Sequence, residues 1–569
     1  MPPGSSKEGI QGLYKMAEAR QRLGGERFSM TKEADSIESR VAWALLLVVV
    51  FAAGAIRAGL LDIPLDRDEG DYAHGAQLMM QGSIPYQQHY QMKLPGVYLA
   101  YAAILTTFGQ THVAVHMGLL TANAATTLLI FLLGRRIADP LIGLLAGASF
   151  SVLSLGYPLH GTSGNTEHFV ILAGVAGLWV LLEALDRDWN ALLFVSGLLL
   201  GMAYLMKQHG FVFAAIGVCA LIIDRNRTPL IPWKKVRFRG LVLCTGLLLP
   251  YAASIAYFWK VGALGDFWYW TVEYSQSYLG RWSLSGGFSR LVFNAERILK
   301  VGWPLWGLAA IGIVGLWSNP SMRSQRGFLL VFAFFSLVSI SPGFVFRTHY
   351  FILLLPVLAL LSAMGTATVV DAFRSHLKRL PRYTCACLLM GVSAGSSIFI
   401  QRDFLFQMTP FTASRFVFGR NPFPESIEIA ERIRADTNPR DSIAVLGSEP
   451  QIYFYADRPA ATGQVYMYPL MASHPRALEL QERMIREIEV AKPKYIVYVD
   501  PETIPWSWLR NRGSHLRVLE WFRGYREQYY ERVGIFEFNR FATNSRWGAK
   551  ADGKPSFAHW VEILRRREK

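Results

Sequence analysis

Apolar runs long enough to cross a lipid bilayer recur through the first four hundred residues of this chain, and they limit its fold more than any other feature. A spanning helix needs about 20 largely apolar residues to cross about 30 Å of hydrocarbon. Such runs fall near 41–61, 112–134, 138–158, 168–185, 190–206, 210–223, 240–259, 301–317, 327–341, 350–370 and 384–400. The expected fold is therefore mainly α: a polytopic membrane protein of about eleven transmembrane helices. Composition agrees, since 52% of residues are hydrophobic and only 18% charged, too apolar for a surface facing mostly water. About forty mostly polar residues precede the first run, so it reads as a retained span rather than a cleavable signal peptide. Cys219, Cys244, Cys385 and Cys387 all lie within apolar stretches, where a thiol behaves as a small hydrophobe, so no disulfide framework is expected.

One further apolar stretch, 94–108, has fifteen residues and is short for a span. Charge decides how to treat it. If it does not cross and the N-terminus is cytoplasmic, Arg135, Arg136, Arg187, Arg225, Arg227, Lys234, Lys235, Arg237, Arg239, Arg323, Arg326, Arg374, Lys378, Arg379 and Arg382 all fall on the cytoplasmic side. That is the distribution the positive-inside bias favours, and it accounts for much of the formal net charge of +16 without invoking nucleic acid. The expected layout has a cytoplasmic segment 1–40, a transmembrane part 41–400 with long outside loops 62–111 and 260–300, and an extracytoplasmic α/β domain 401–569. In that last part, helical patterns at 425–435 and 477–490 alternate with strand-like runs at 442–446, 494–499 and 534–538. A short helix near His559–Arg567 and a loosely held terminus are expected beyond them. No internal repeat is visible.

The densest polar cluster is Asp66-Arg67-Asp68-Glu69-Gly70-Asp71-Tyr72, just beyond the first span. Crowded carboxylates raise the pKa of at least one member, and an ionised carboxylate can act as a general base toward a hydroxyl. The plainer reading is a solvated acidic loop, or a helix start capped by Asp. Other polar residues gather on the same outside face: His160, Asn165, Glu167 and His168; Lys207 and His209; Arg347, His349 and Tyr350. Lys93 opens the short apolar stretch, where it could hold a lipid phosphate or simply snorkel. Trp268, Trp270 and Trp282 could stack on a sugar or mark an interfacial belt. His74 and His89 share the acidic loop, but their spacing matches no metal motif, so metal independence is expected although a divalent ion is possible.

The order Asp68-Glu69, Tyr72, Gly82 with Pro85-Tyr86, Lys93 and Pro95, Phe108-Gly109, then Gly134-Arg135-Arg136 resembles a known group. It is similar to the protein O-mannosyltransferase and lipid A aminoarabinose transferase group, family 39-like, within the C-type (GT-C) superfamily of membrane glycosyltransferases. Thr166-Glu167, Lys207, and Arg347-Thr348-His349-Tyr350 before Pro356 extend the likeness over roughly 41–370. Where the group tends to have Lys-Pro-Pro, this chain has Lys93-Leu94-Pro95. The resemblance implies transfer of a sugar, hexosyl or pentosyl, from a polyprenyl-phosphate donor to a lipid, glycan or protein hydroxyl on the extracytoplasmic face, with inversion. Asp68 would be the base and Glu69 its assistant, while Lys93, Lys207, Arg347 and His349, with Glu167, Tyr72 and Tyr350, would surround the donor phosphate and substrate. A multi-pass protein of a bacterial inner membrane, its C-terminus outside, would fit. Two other classes compete: a transporter of a polar or anionic solute, which would place its charges near mid-membrane and show repeats, and a non-enzymatic envelope assembly protein.

Overall fold

The computed structural model describes residues 37–227, 231–279, 283–318, 325–374, 376 and 380–568. Most of the segment 1–40, together with Arg323, Lys378, Arg379 and Trp282, lies outside the described residues. Each of the eleven apolar runs falls on a helix. Eight of those helices are long and apolar enough to cross a membrane, from Ile37–Ala58 to Arg382–Ile400. Pro140–Leu153, Asn190–Met206 and Arg326–Ser339 are shorter, as is Pro95–Phe108. Burial separates centre from rim. The helical stretch Thr348–Ala372 is 83% buried over its most apolar window, whereas Ile37–Ala58 and Trp233–Lys260 are each 17% buried there and offer their remaining surface to lipid.

The connections at one end of the bundle hold the basic residues, and these are largely paired. Arg136 meets Asp186, Lys235 and Arg239 meet Asp188, Arg239 also reaches Asp224, and Arg382 bridges Asp371 and Asp139. The connections at the other end are more structured than two long loops. The segment 62–111 carries helices Arg67–Met80 and Pro95–Phe108. The segment 260–300 carries Leu264–Trp268, a π-helical turn Tyr269–Tyr274 and the first half of one continuous helix, Leu284–Ser318. At 1.5 Å per residue those 35 residues reach on the order of 50 Å, well past the hydrocarbon thickness. The span expected at 301–317 is thus only its second half.

The C-terminal part is α/β, with five strands: β1 (Ile443–Leu446), β2 (Tyr495–Val499), β3 (Tyr530–Phe538), β4 (Thr543–Trp547) and β5 (His559–Arg566). Their order is β1-β2-β5-β3-β4, with β1 and β2 parallel and every other pair antiparallel. The helix expected near His559–Arg567 is therefore a strand, and a central one. Val561 to Leu564 are buried between β2 and β3. A strand covered on both faces need not alternate in polarity, and the mixed run Trp560-Val561-Glu562-Ile563-Leu564 then reads equally well as a turn of helix. The expected loose terminus is corrected with it.

This part does not stand apart from the membrane part. One apolar core joins Tyr86, Tyr90, Leu94, Phe258, Phe267 and Trp270 to Leu446, Met467, Leu480, Ile496 and Phe522. Tyr90 stacks on Trp270 with centroids 5.8 Å apart, and its amide donates to the Gly463 carbonyl at 2.9 Å. Trp270 is thus a core residue, while Trp268 remains half exposed. Gly70 fits where no larger residue could, since a Cβ there would stand 2.6 Å from the Gln451 backbone nitrogen. Helix Arg67–Met80 therefore lies flush against the α/β part.

Candidate active site

The acidic cluster forms the first turn of helix Arg67–Met80, and its carboxylates divide the work. Asp66 is the N-cap: it accepts from the Glu69 amide at 3.0 Å while Glu69 accepts from the Asp66 amide at 3.1 Å. This reciprocal pairing satisfies two of the free donors at a helix start. Glu69 also accepts from the Gly164 amide and lies 3.0 Å from His116 Nε2. It is buried, and it is not among the residues that line the cavity described next; its contacts hold the helix start in place. Asp71 is buried too, 2.9 Å from His89 Nε2 and 3.2 Å from Gln91 Nε2. Asp68, with 29% of its side chain exposed, reaches into a cavity that Asp66 and Arg67 also line.

That cavity has a volume of about 390 Å³. Its walls include Asp68, Lys93, Lys207, Arg347, His349 and Tyr350, residues separated by as much as 282 positions in the chain. Lys93 Nζ is 3.8 Å from an Asp68 oxygen and donates to the Tyr72 hydroxyl at 3.0 Å. Glu167, in the first turn of helix Thr166–Asp186, pairs with Lys207, and His349 Nε2 lies 4.0 Å from it. Lys207 Nζ also sits 4.5 Å above the Tyr350 ring. Tyr72 and Glu167 thus act from behind, gripping the two lysines. Gly96 permits this approach, because a Cβ there would come within 2.5 Å of the Leu205 carbonyl just ahead of Lys207.

The electrostatics follow from this layout. Burial pushes the Asp68 carboxyl up, but Lys93, Lys207 and the Tyr466 hydroxyl outweigh it and hold it well below the usual carboxylate range. The crowding acts on its neighbour instead: burial, then Glu69 and Asp68, raise Asp66 well above that range. Burial also lowers His160 to about 4, leaving it neutral at physiological pH. The cavity therefore presents an ionised carboxylate beside cations, Lys93 the nearest at 3.8 Å.

Sequence reasoning missed the contribution of the α/β part. Tyr466 donates to Asp68 at 2.9 Å. Arg67, beside Asp68, is anchored by the Ser448 carbonyl, Glu449, the Tyr468 hydroxyl and Asn421. Tyr466, Tyr468, Asn421, Phe418 and Phe423 all line the cavity. No local motif marks them; the excess of buried tyrosine at 466–468 was the available signal. Asn165 lines it as well, with its amide nitrogen buried and unpartnered. Among the described residues, no group of three or more His, Cys, Asp or Glu side chains is placed to hold a metal ion. His74 instead stacks on Tyr453.

Comparison with known proteins agrees with this layout. Residues 93–252 match the family model described as dolichyl-phosphate-mannose-protein mannosyltransferase. No curated protein sequence matches the chain. Among solved structures it is similar to the Archaeoglobus fulgidus oligosaccharyltransferase tethered with an acceptor peptide, with a TM-score of 0.53 and 14% identity over 88% of this chain and 74% of that one. It is also similar to ArnT from Cupriavidus metallidurans bound to undecaprenyl phosphate, with a TM-score of 0.52 and 14% identity over 83% of this chain and 94% of that one. The apo state of the same ArnT gives 0.53 and 15% over 82% and 93%.

Proposed function

We propose that this chain, whose fold is that of the C-type membrane glycosyltransferases, moves a sugar from a polyprenyl-phosphate donor to a hydroxyl acceptor. The observation that carries this reading is the cavity itself, where an ionised Asp68 faces Lys93, Lys207, Arg347 and His349 at the end of the bundle away from the basic connections. Dolichol phosphate and undecaprenyl phosphate are named with two of the similar structures, which supports a lipid phosphate as the carrier here.

The acceptor oxygen attacks the anomeric carbon from the face opposite the phosphate, and the bond from that carbon to the phosphate oxygen breaks with its electron pair going to the phosphate. The hydroxyl proton passes to Asp68, so the product is inverted. Charge builds on the leaving phosphate as the ring becomes oxocarbenium-like, and fixed cations placed where it builds lower the barrier. A carboxylate held ionised is a weak base. It suffices here because the hydroxyl turns acidic only as its oxygen bonds to the cationic carbon, late in the step. The basic connections at the far end argue for a cytoplasmic placement of that end. The cavity and the α/β part would then lie outside, in a bacterial inner membrane.

The test uses membranes holding the full chain, supplied with a polyprenyl-phosphate sugar. Wild type should release lipid phosphate and transfer sugar, whereas Asp68→Asn should lose transfer by about two to four orders of magnitude. A folded Asp68→Asn protein that transfers at the wild-type rate would remove Asp68 as the base.

A further inference from the structure

The cavity has two unlike walls. The membrane loops contribute cations, and the α/β part contributes an aromatic band. The band starts at Asp68 with Tyr466, whose ring meets that of Tyr468 at 5.2 Å. The Arg67 guanidinium then bridges, 5.9 Å from the Tyr468 ring and 5.6 Å from the Phe423 ring. Phe423 meets Phe418 at 5.3 Å, and Phe418 meets His160 at 5.1 Å. Polar atoms punctuate the rings: two phenol hydroxyls, the guanidinium and the Asn421 amide.

The donor phosphate has no use for this band. Neither does a prenyl chain, which is apolar along its whole length, whereas this wall carries a guanidinium, an amide and two phenols. An extended peptide draws its affinity from rows of backbone donors and acceptors, and this wall is made of side chains. A pyranose ring fits it, having an apolar C–H face to lie on an aromatic ring and a rim of hydroxyls for the second Asn421 amide proton and the phenol lone pairs that the internal bonds leave over. We infer that the band is an acceptor subsite for a carbohydrate, laying a pyranose ring across Phe418, Phe423 and Tyr468 so that one ring hydroxyl reaches Asp68. The inference rests on the transfer reaction proposed above and adds the chemical class of its acceptor.

The experiment uses the full chain in lipid nanodiscs with polyprenyl-phosphate mannose. Acceptors are offered one at a time: methyl pyranosides of glucose, galactose, mannose and N-acetylglucosamine, and a serine/threonine decapeptide. At least one pyranoside should speed donor consumption and be glycosylated. Phe418→Ala and Tyr468→Ala should each lower the partition of donor between pyranoside and water by about tenfold, through a higher KM for the pyranoside. Glycosylation of the decapeptide with all pyranosides inert would overturn the inference, as would an unchanged partition in both variants or donor consumption that no pyranoside speeds. Failure of the underlying reaction looks different: the wild type then leaves the donor intact with every acceptor and with water.

Discussion

The Tyr466 phenol donates a 2.9 Å hydrogen bond to Asp68 across 398 residues of chain, so the candidate base of a membrane-loop helix is completed by a side chain of the α/β part. The same hydroxyl lies 3.1 Å from the Arg67 carbonyl, a second acceptor for its one proton. Tyr466→Phe keeps the ring and removes only the donor. Turnover should fall by about tenfold with KM for the donor unchanged, and steady-state kinetics at saturating donor would show it. Equal turnover in the two proteins would leave the phenol with packing alone.

A pH profile separates the influences on Asp68. Its depressed carboxyl means that the base is lost to protonation only when the pH drops below the ordinary carboxylate value of about 3.9. Between about pH 4 and 7 the wild type should therefore show no loss of kcat/KM attributable to Asp68. Lys93→Met removes the largest of the charges opposing burial, so the acid limb should move up in pH, and further than in Tyr466→Phe. An acid limb left where it was in Lys93→Met would contradict the electrostatic account.

Lys207 and Glu167 form a buried pair, 7% and 0% exposed. Removing one charge from such a pair leaves the other desolvated and uncompensated, at a cost of about 3–5 kcal/mol. Glu167→Gln should lower stability in denaturant titrations of the micelle-solubilised protein by about that amount, and adding Lys207→Met should recover much of it. A Glu167→Gln protein as stable as wild type would mean that water already reaches the pair.

Gly70 sets how closely helix Arg67–Met80 meets the α/β part. The Cβ of Gly70→Ala would press on Gln451 backbone atoms that cannot swing aside, at a cost of about 1–3 kcal/mol. Limited proteolysis should then cut between the membrane part and β1 faster than in wild type. Unchanged protease resistance would place the contact elsewhere.

Orientation is open to labelling in a background lacking the four native cysteines. Gln88 and Arg135 are both exposed, at opposite ends of the bundle. An impermeant maleimide added to intact cells should react with Gln88→Cys and reach Arg135→Cys only after permeabilisation. The reverse pattern would invert the topology.

The membrane part was legible because each apolar run states its own length, and all eleven fall on helices. Asp66 and Glu69 were legible as a pair three apart, the local signature of a capped helix start, yet their division from Asp68 was not. Which carboxylate faces a cavity depends on the rotation of one helix against Gly164 and His116, residues from distant segments. The two tyrosines at 466 and 468 were visible in the sequence, but the roles of Tyr466 and Asn421 were not, because their partners lie more than 350 positions away. β5 was misread for a related reason: its identity rests on pairing with β2 and β3, and a buried run of Val561 to Leu564 says nothing of its neighbours.

The central place of β5 has a consequence for biogenesis. β1, β2, β3 and β4 all leave the ribosome before it, yet β2 and β3 cannot be joined until it is inserted between them. The spans will have entered the bilayer by then, with the acidic helix waiting uncovered. A nascent chain halted before residue 566 would lack the strand that joins the two halves of the sheet, and would leave open to water the apolar core that the membrane and α/β parts share.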